Sequence, residues 1–519
     1  MLGMDRHRRR SILVIAIHVT SISAVMLLTA SAARAQSQID RARALVAAGK
    51  LADARAAAEK TLEQDPSSAD AFHVLGLVAE RENNLPKAFD AYQNAIRLRP
   101  AFAEAHDRLG YTLGRLGRTA DALAAFERAA SLAPDFFDAQ YHLGATRWWT
   151  KDLDGALTAL RAAVRLQPTH AEARYYLGLT LKQRGKIADA VVELREAVRA
   201  NPQLAPARHQ LGAALLEVGD PDGAVEQLKV AATLDPSSDV HNSLGLALMQ
   251  QGSGDEAVAT FRSIVAANPS NDTARLNLGT ALLQRGSLDE AVAALKEALA
   301  RRPDSAVARY NLGLALKQQD DFAAAESELR QASSLDATLP DAPYTLGVVL
   351  WQTGRADDAV RAFREAISRR ADYADAHFML GTILAQQGQI AEALKEFRTT
   401  IAQRPSSAEA HLSLGQLLSR TGERGEAAKA LAEADRLNAI KANAQASTFA
   451  VGVGLEKLKA SDVAGAIERF REAIRLAPDN PRAHLQLALA LERLGKRGEA
   501  QAHFDEAKRL APYLRRPNE

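Results

Sequence analysis

The chain has 519 residues, of which 47% are hydrophobic, 5% aromatic and 25% charged, and it contains no cysteine. This length exceeds what one hydrophobic core serves, so several domains or one array of repeats is expected. Without cysteine the chain has no disulfide, no thiolate nucleophile and no cysteine-ligated metal. The formal net charge is only +2 with both signs interspersed, which gives no electrostatic case for binding nucleic acid.

The first 35 residues form a segment of their own. They hold five Arg, four of them within 6–10, and a mostly apolar stretch follows over 12–30. Ala33 and Ala35 then supply small residues at the positions that a signal peptidase reads. This order predicts a secretory signal peptide that is cleaved after Ala35, with an uncleaved membrane anchor as the alternative. In both cases the rest of the chain is expected outside the cytoplasm, as a periplasmic or secreted protein.

A repeat with a step of 34 residues runs through the rest of the chain. The dipeptide Leu-Gly recurs eleven times, from Leu75-Gly76 to Leu414-Gly415, with one step of 33 residues before Gly245. Three less regular units bring the total to fourteen, and each unit has Ala twelve residues after the Gly position. Pro closes eleven of them. Periodicity of this kind is typical of a solenoid built from small helical units.

The residues of one unit predict two helices that pack closely. Leu-Gly-x-x-Leu places two Leu on one helical face with Gly between them, so a second helix can approach. The Ala is the matching small residue on that second helix, and Pro ends it. The turn between the helices often carries a glycine, for which a left-handed conformation is expected. These turn glycines are Gly117, Gly185, Gly219, Gly286, Gly354 and Gly388.

The pattern x-x-x-Leu-Gly-x-x-Leu…Ala-x-x-x-Phe…Pro resembles the tetratricopeptide repeat over residues 38–512. The resemblance implies an all-α fold, a right-handed superhelical solenoid of about fourteen helix-turn-helix hairpins. It divides the chain after the signal peptide into an array of about twelve repeats over 36–437, two further repeats over 448–512 and a tail over 513–519. The Trp that the family usually carries three residues before the Leu is mostly His or Arg here, as at His106.

Two kinds of irregularity interrupt the pattern. The step between Gly415 and Gly454 is 39 residues, so 438–447 is expected to be an irregular insertion or bend, either an extended helix or a loop. Ala337 and Ala371 replace the closing Pro, which predicts longer second helices at those two places.

No signature of catalysis is present. The sequence has no Gly-rich phosphate loop, no Gly-x-Ser-x-Gly and no His-Glu-x-x-His. His106, His377 and His411 hold equivalent places in different hairpins. Successive hairpins would lie about 10 Å apart, so residues at equivalent places are too far from each other to share a metal ion. We therefore expect no enzyme, no cofactor and no metal site, and we interpret these histidines as covering the edge of a hairpin.

A stripe of residues on the first helices is the best candidate for a binding site. Its places lie six and three residues before the Gly and one and four residues after it, which defines one helical face. In the family that the repeat resembles, this face lines the concave groove. Two aromatic patches, near 141–182 and 310–378, are therefore expected to contact a partner. The candidate partner-binding residues are Tyr141, Trp148, Tyr175, Lys182, Tyr310, Lys317, Tyr344, Trp351 and Phe378.

The repeat and the N-terminal segment together predict a non-catalytic scaffold or adaptor for other proteins or extended peptides, acting outside the cytoplasm. The alternative is a carbohydrate-binding module that assists polysaccharide export, because Trp148 and Trp351 on a groove would suit stacking against sugars. An enzyme with an unfamiliar site is the third possibility, and no residue pattern in the sequence indicates one.

Overall fold

The structure, a computed structural model, describes residues 37–511 and residue 514. Its described residues form twenty-seven α-helices and no strand, so the all-α fold class is confirmed. The chain divides into two compact units between Ala207 and Arg208. We call residues 37–207 unit 1 and residues 208–511 unit 2. The predicted signal peptide or anchor over 1–35 lies outside the described residues.

Unit 1 consists of helices that pair in chain order. They are α1 (37–47), α2 (Leu51–Gln64), α3 (Ala69–Arg81), α4 (Leu85–Leu98), α5 (Ala103–Arg115), α6 (Thr119–Leu132), α7 (Phe137–Trp149), α8 (Leu153–Leu166), α9 (Ala171–Gln183) and α10 (Ile187–Ala200). The next helix, α11 (Ala205–Glu217), contains the division between the units.

Unit 2 continues the same alternation of helices. It contains α12 (Pro221–Leu234), α13 (Ser238–Gln251), α14 (Gly254–Ala267), α15 (Asp272–Arg285), α16 (Leu288–Arg301), α17 (Ala306–Gln318), α18 (Phe322–Leu335), α19 (Asp341–Gln352), α20 (Ala356–Arg369), α21 (Ala374–Gln386), α22 (Ile390–Gln403), α23 (Ala408–Thr421), α24 (Arg424–Lys459), α25 (Val463–Leu476), α26 (Pro481–Arg493) and α27 (Arg497–Leu510). Odd-numbered helices up to α23 are the first helices of hairpins, and the helices that follow them are the second.

Close packing inside each hairpin explains the Gly of the Leu-Gly pair. A Cβ atom on Gly245 would lie 2.4 Å from the ring of Phe261, and one on Gly110 would lie 2.7 Å from the ring of Phe126. No side chain fits in that space, so the large residue of the second helix lies directly against the backbone of the first. The Ala of the second helix is fully buried, as at Ala224.

The turns inside the hairpins have the predicted left-handed conformation. All six predicted turn glycines have positive φ, between +73° at Gly185 and +81° at Gly286. Four hairpins place a residue other than glycine there, and Lys151 (φ 69°) and Asp320 (φ 60°) are two of them. A side chain in this conformation costs about 1 kcal/mol relative to glycine, so these turns are locally strained.

Of the two alternatives expected for 438–447, an extended helix or a loop, the structure has the extended helix. Residues 438–447 lie in the middle of α24, which is continuous over 36 residues. It serves as the second helix of one hairpin and the first helix of the next, which is why the step between repeats lengthens. Every residue from 438 to 446 is exposed. Ala439 stands where Pro would end the helix in other units, so nothing there interrupts the hydrogen bonds along the helix.

The prediction of longer helices near Ala337 and Ala371 is wrong. Helices α18 and α20 have 14 residues each, like the second helices that Pro follows. After α18, the Oδ1 atom of Asp336 accepts hydrogen bonds from the backbone N–H and the hydroxyl of Thr338. This local turn competes with another helical turn and ends the helix without Pro.

The first helices form the inner layer of each unit. In unit 1, α3 contacts α5, α5 contacts α7 and α7 contacts α9, and in unit 2 several successive first helices contact each other likewise. No comparable contact joins successive second helices in the described part of the chain. Elements on the inside of a curve lie closer together than those outside, so the first helices line the concave side of each unit. Within residues 37–511 and 514, no helix combines the length and the apolar character needed to cross a membrane.

Candidate functional site

All nine predicted partner-binding residues lie on first helices and are half-buried. They are Tyr141 and Trp148 on α7, Tyr175 and Lys182 on α9, Tyr310 and Lys317 on α17, Tyr344 and Trp351 on α19, and Phe378 on α21. The first four belong to unit 1 and the other five to unit 2, so the two expected patches are separate groups.

In unit 1 the predicted aromatic residues gather around a ring that the sequence did not single out. The Tyr176 ring meets the Trp148 ring edge-on with centroids 5.4 Å apart, and the Tyr175 ring in the same way at 5.3 Å. The Tyr141 ring lies 6.2 Å from Tyr176. We call Tyr141, Trp148, Tyr175 and Tyr176 the aromatic cluster. Burial, and then the neighbouring Tyr176, raises the pKa of both Tyr141 and Tyr175, so these phenols are neutral at physiological pH.

Beside the aromatic cluster, a cleft of about 380 Å³ opens between α5, α6 and α7. Tyr111 and Gly114 of α5 lie on one side, and Trp148 and Trp149 of α7 lie on the other. Phe126 of α6 also lines the cleft and is 4% exposed. Trp149 is 72% exposed, which is unusual for so large an apolar side chain.

A buried aspartate–histidine pair lies in the wall of this cleft. The Asp107 carboxylate is fully buried, and its Oδ1 atom lies 2.8 Å from Nδ1 of His142, which lines the cleft. The carboxylate accepts a hydrogen bond from Nδ1–H and thereby fixes which ring nitrogen carries the proton. The Oδ2 atom of Asp107 and the Nε1 atom of Trp148 are buried without a hydrogen-bond partner.

Several residues of this site were not predicted from the sequence, and for three of them the spacing could have been a signal. His142 and Tyr176 stand two residues before the Gly, and Tyr111 stands one residue after it. These places are three residues apart and share a helical face with the predicted stripe. Tyr111 occupies a place that was already part of the stripe, so its aromatic ring was the available signal.

In unit 2 the predicted residues do not form a single cluster of rings. Tyr344 turns toward the interior of its hairpin, with its ring centroid 5.7 Å from that of Phe363 and 5.0 Å from that of Tyr373. Phe378 packs against another ring, Phe397, at 5.9 Å. Burial is the main cause that raises the pKa of Tyr344. These rings therefore contribute packing as well as groove surface.

The place of the family's usual Trp has a structural role. Nε2 of His106 donates to the carbonyl oxygen of Pro100, six residues earlier, at 3.0 Å. The same link, from a His or Arg side chain to the carbonyl six residues before it, recurs at Arg174, Arg275, Arg309, His377, His411 and His484. These side chains close the connection between successive hairpins. Among the described residues, no three His, Asp or Glu lie close enough to hold a metal ion.

Comparison with known proteins agrees with the fold. Models of the tetratricopeptide repeat match residues 39–101, 108–168, 150–205, 209–272, 344–399 and 379–440 in one version and 248–310 and 282–346 in another. A model described as TPR repeat matches 454–495, and a further tetratricopeptide repeat model matches 481–513. A search of curated proteins finds no match.

Solved structures give partial similarities. The crystal structure of MamA is 27% identical, covering 32% of this chain and 96% of that one, with a TM-score of 0.30. YrrB, described as a TPR protein with an unusual peptide-binding site, is 22% identical over 38% of this chain and 97% of its own, with a TM-score of 0.33. Pseudomonas aeruginosa pilF is 21% identical over 40% and 94%, with a TM-score of 0.37. The family models alone match more than half of the chain, and the protein therefore belongs to the tetratricopeptide repeat family.

Proposed function

We propose that the protein is a non-catalytic scaffold outside the cytoplasm that binds partner proteins along the concave, first-helix side of its units. Repeats of this family generally form scaffolds typical of protein–protein interaction. The observation that carries the proposal is the cleft of unit 1, where Trp149 leaves a large apolar surface exposed beside Tyr111 and Trp148. Surfaces of this kind in a polar surrounding mark interaction sites, and Trp and Tyr supply most of the binding energy in such sites.

The proposed location rests on the N-terminal segment. Its order of basic residues, apolar stretch and small residues before position 36 supports export. Fractionation of the producing cells tests this part by itself. The full chain should appear in the periplasm or the medium with a mature N-terminus after Ala35, and a chain that stays in the cytoplasm would contradict it.

Capture of partners by the purified protein tests the binding part. Full-length protein carrying a photocrosslinking probe next to Trp149 is incubated with envelope extract, and crosslinked proteins are identified by mass spectrometry. Trp149→Ala and Trp351→Ala, made together, should reduce the recovered partner by about tenfold, as expected when anchor residues are truncated. Trp149 is mostly solvent-exposed, so its removal leaves the fold intact. Trp351 is half-buried, so the melting temperature of the double variant is compared with that of the wild-type protein.

The control is a substitution of similar size outside both aromatic patches. Phe449 of α24 is 75% exposed, so Phe449→Ala removes an equally exposed ring and should leave capture unchanged. Equal capture by wild-type protein and the double Trp variant would reject the groove as the binding surface. Retention of an oligosaccharide by wild-type protein, together with no captured protein, would favour the carbohydrate-binding alternative.

A further inference from the structure

The cleft of unit 1 exists because one side chain is missing. Gly114 stands four residues after the Gly of its hairpin, and Trp148 and Lys182 stand at the same place in the next two hairpins. A Cβ atom on Gly114 would have only the Cβ of Ala122 as a neighbour, at 4.0 Å. The first helix therefore leaves open space beside Trp148. This space, about 380 Å³, suits one large side chain rather than a stretch of chain.

The cleft contains one hydrogen-bond acceptor whose role is set by its partner, the Nε2 atom of His142. The Nδ1–H of His142 is engaged by the buried carboxylate of Asp107. The His142 side chain is 20% exposed and lines the cleft, and within the described part of the chain its Nε2 atom makes no hydrogen bond. Because Nδ1–H is held by the carboxylate, Nε2 is the ring nitrogen that is left to accept a hydrogen bond. The occupant should therefore carry a donor.

The charges around the cleft disfavour a cation as the occupant. Arg115 lines it, and Nζ of Lys151 lies 5.6 Å from the centroid of the Trp148 ring. The protein's own lysine thus already occupies a cation–π position on this ring. A lysine or arginine from a partner would meet like charges there, whereas a neutral aromatic ring would stack against Tyr111, Trp148 and Trp149.

We propose that the cleft is a socket for a single aromatic side chain that carries a hydrogen-bond donor, a tyrosine or tryptophan in an extended segment of the partner protein, with His142 Nε2 accepting from its hydroxyl or indole N–H. This inference rests on the proposed function and names what the partner must present. Asp107 is the positioning residue, because it acts on the occupant only through His142.

The probe is a series of acetylated, amidated pentapeptides Gly-Gly-X-Gly-Gly titrated into the full-length protein and followed by ligand-observed NMR. With X as Tyr or Trp the dissociation constant should be about three- to tenfold lower than with X as Phe, the ratio that one net hydrogen bond supplies. X as Lys should bind most weakly. Equal affinities for Tyr and Phe, or the tightest binding by Lys, would overturn the proposal.

Two protein variants locate the binding. Gly114→Leu places a side chain in the open space and should weaken Tyr-peptide binding by more than tenfold without lowering the melting temperature. Its matched control is Gly425→Leu, a helical glycine of unit 2 whose added Cβ would meet nothing within 4 Å. Unchanged binding by Gly114→Leu would place the peptide elsewhere and overturn the proposal.

The double variant Asp107→Leu with His142→Phe tests the acceptor. Both partners of the buried pair are replaced together so that no carboxylate remains buried alone. The preference for Tyr over Phe should then disappear while Phe-peptide binding persists, and a retained preference would overturn the role of His142. Cellopentaose serves as a competing probe, and tighter binding of this sugar than of any peptide, abolished by Gly114→Leu, would replace the aromatic side chain with a glycan.

The outcome also separates this inference from the proposed function. If partner capture depends on Trp149 while none of the aromatic peptides binds, the scaffold function stands and the socket is wrong. If neither capture nor peptide binding occurs, both proposals fail.

Discussion

Two groups of hairpins use the same repeat positions in different ways. One is α5 to α10 in unit 1, and the other is α17 to α20 in unit 2. In unit 1 the place four residues after the Gly changes from Gly114 to Trp148, and a cleft opens beside the Trp ring. In unit 2 the same place holds Lys317 and then Trp351. The comparison indicates that in unit 1 the aromatic stripe borders a cleft because the neighbouring hairpin has no side chain at this place.

A second difference concerns the polar contacts between neighbouring first helices. The residue three before the Gly in one hairpin meets the residue two before the Gly in the next. In unit 1 this pair is the hydrogen bond from His142 to the buried carboxylate of Asp107. In unit 2 the same places hold Tyr310 and Thr345, whose side chains carry only neutral hydroxyl groups. The same backbone geometry therefore holds pairs of very different electrostatic character.

Truncation of the two pairs should have unequal cost. His142→Ala leaves the Asp107 carboxylate buried without its partner, which should lower the free energy of unfolding by about 3 kcal/mol. Thr345→Ala removes a buried neutral hydroxyl and leaves no charge unpaired, so it should cost only about 1 kcal/mol. Urea unfolding with hydrogen exchange measured separately in α7 and α19 checks both values, because a repeat array loses stability locally.

The control is the apolar pair Asp107→Leu with His142→Phe, which should be close to wild type because no charge remains buried. Equal destabilisation by His142→Ala and Thr345→Ala would mean that Arg108, whose Nε lies 4.0 Å from Asp107 Oδ2, replaces the lost partner.

Much of the fold was predictable from the sequence because several repeat positions hold residues that only one local structure explains. Gly245 has no space for a side chain and Gly286 needs a positive φ, so both places indicate helix contacts and turns directly. The cleft was harder to predict because it depends on what Gly114 lacks. A missing side chain has no signature unless the neighbouring first helix, with Trp148, is known to lie beside it.

The two units should also differ in how their stability responds to acid. His73 holds the place three residues before the Gly in the second hairpin and is 7% exposed, with both ring nitrogens unpartnered. Burial, then the charges of Arg43 and Arg108, lowers the pKa of His73 from 6.5 to about 4. The unfolded chain therefore binds a proton between these values that the folded chain does not. Stability is fully present above pH 6.5 and is lost as the pH falls toward 4, by roughly 2–3 kcal/mol.

Hydrogen exchange of α3 between pH 7 and pH 4 measures this loss, corrected for the intrinsic pH dependence of exchange. His73→Phe is the control, since the ring packs against Tyr92 and Phe102 at 5.7 and 4.9 Å and Phe cannot be protonated. Helix α19 provides the comparison in unit 2, because Tyr344 at the same repeat place does not titrate in this range. A pH response of α3 that persists in His73→Phe would show that another group is responsible.

The smallest expected changes in stability come from alanine substitutions of two glycines in α5, and they should have opposite signs. Gly110→Ala would place a Cβ 2.7 Å from the Phe126 ring and should cost about 1–3 kcal/mol through overpacking. Gly114→Ala has its nearest neighbour at 4.0 Å and should stabilise the helix by about 0.5–1 kcal/mol, since alanine loses less conformational entropy than glycine. Thermal unfolding of the two single variants measures the signs.

Substitutions at the same two repeat places in unit 2 complete this comparison. Gly313→Ala should destabilise α17 as Gly110→Ala does α5, because its Cβ would lie 2.7 Å from Leu329. Lys317→Gly should cost about 1 kcal/mol while opening space beside Trp351. If this variant gains affinity for the Tyr pentapeptide, a single missing side chain beside a Trp is sufficient to form the socket. If it gains none, the acceptor supplied by His142 is also required, because the equivalent place in unit 2 holds Thr345.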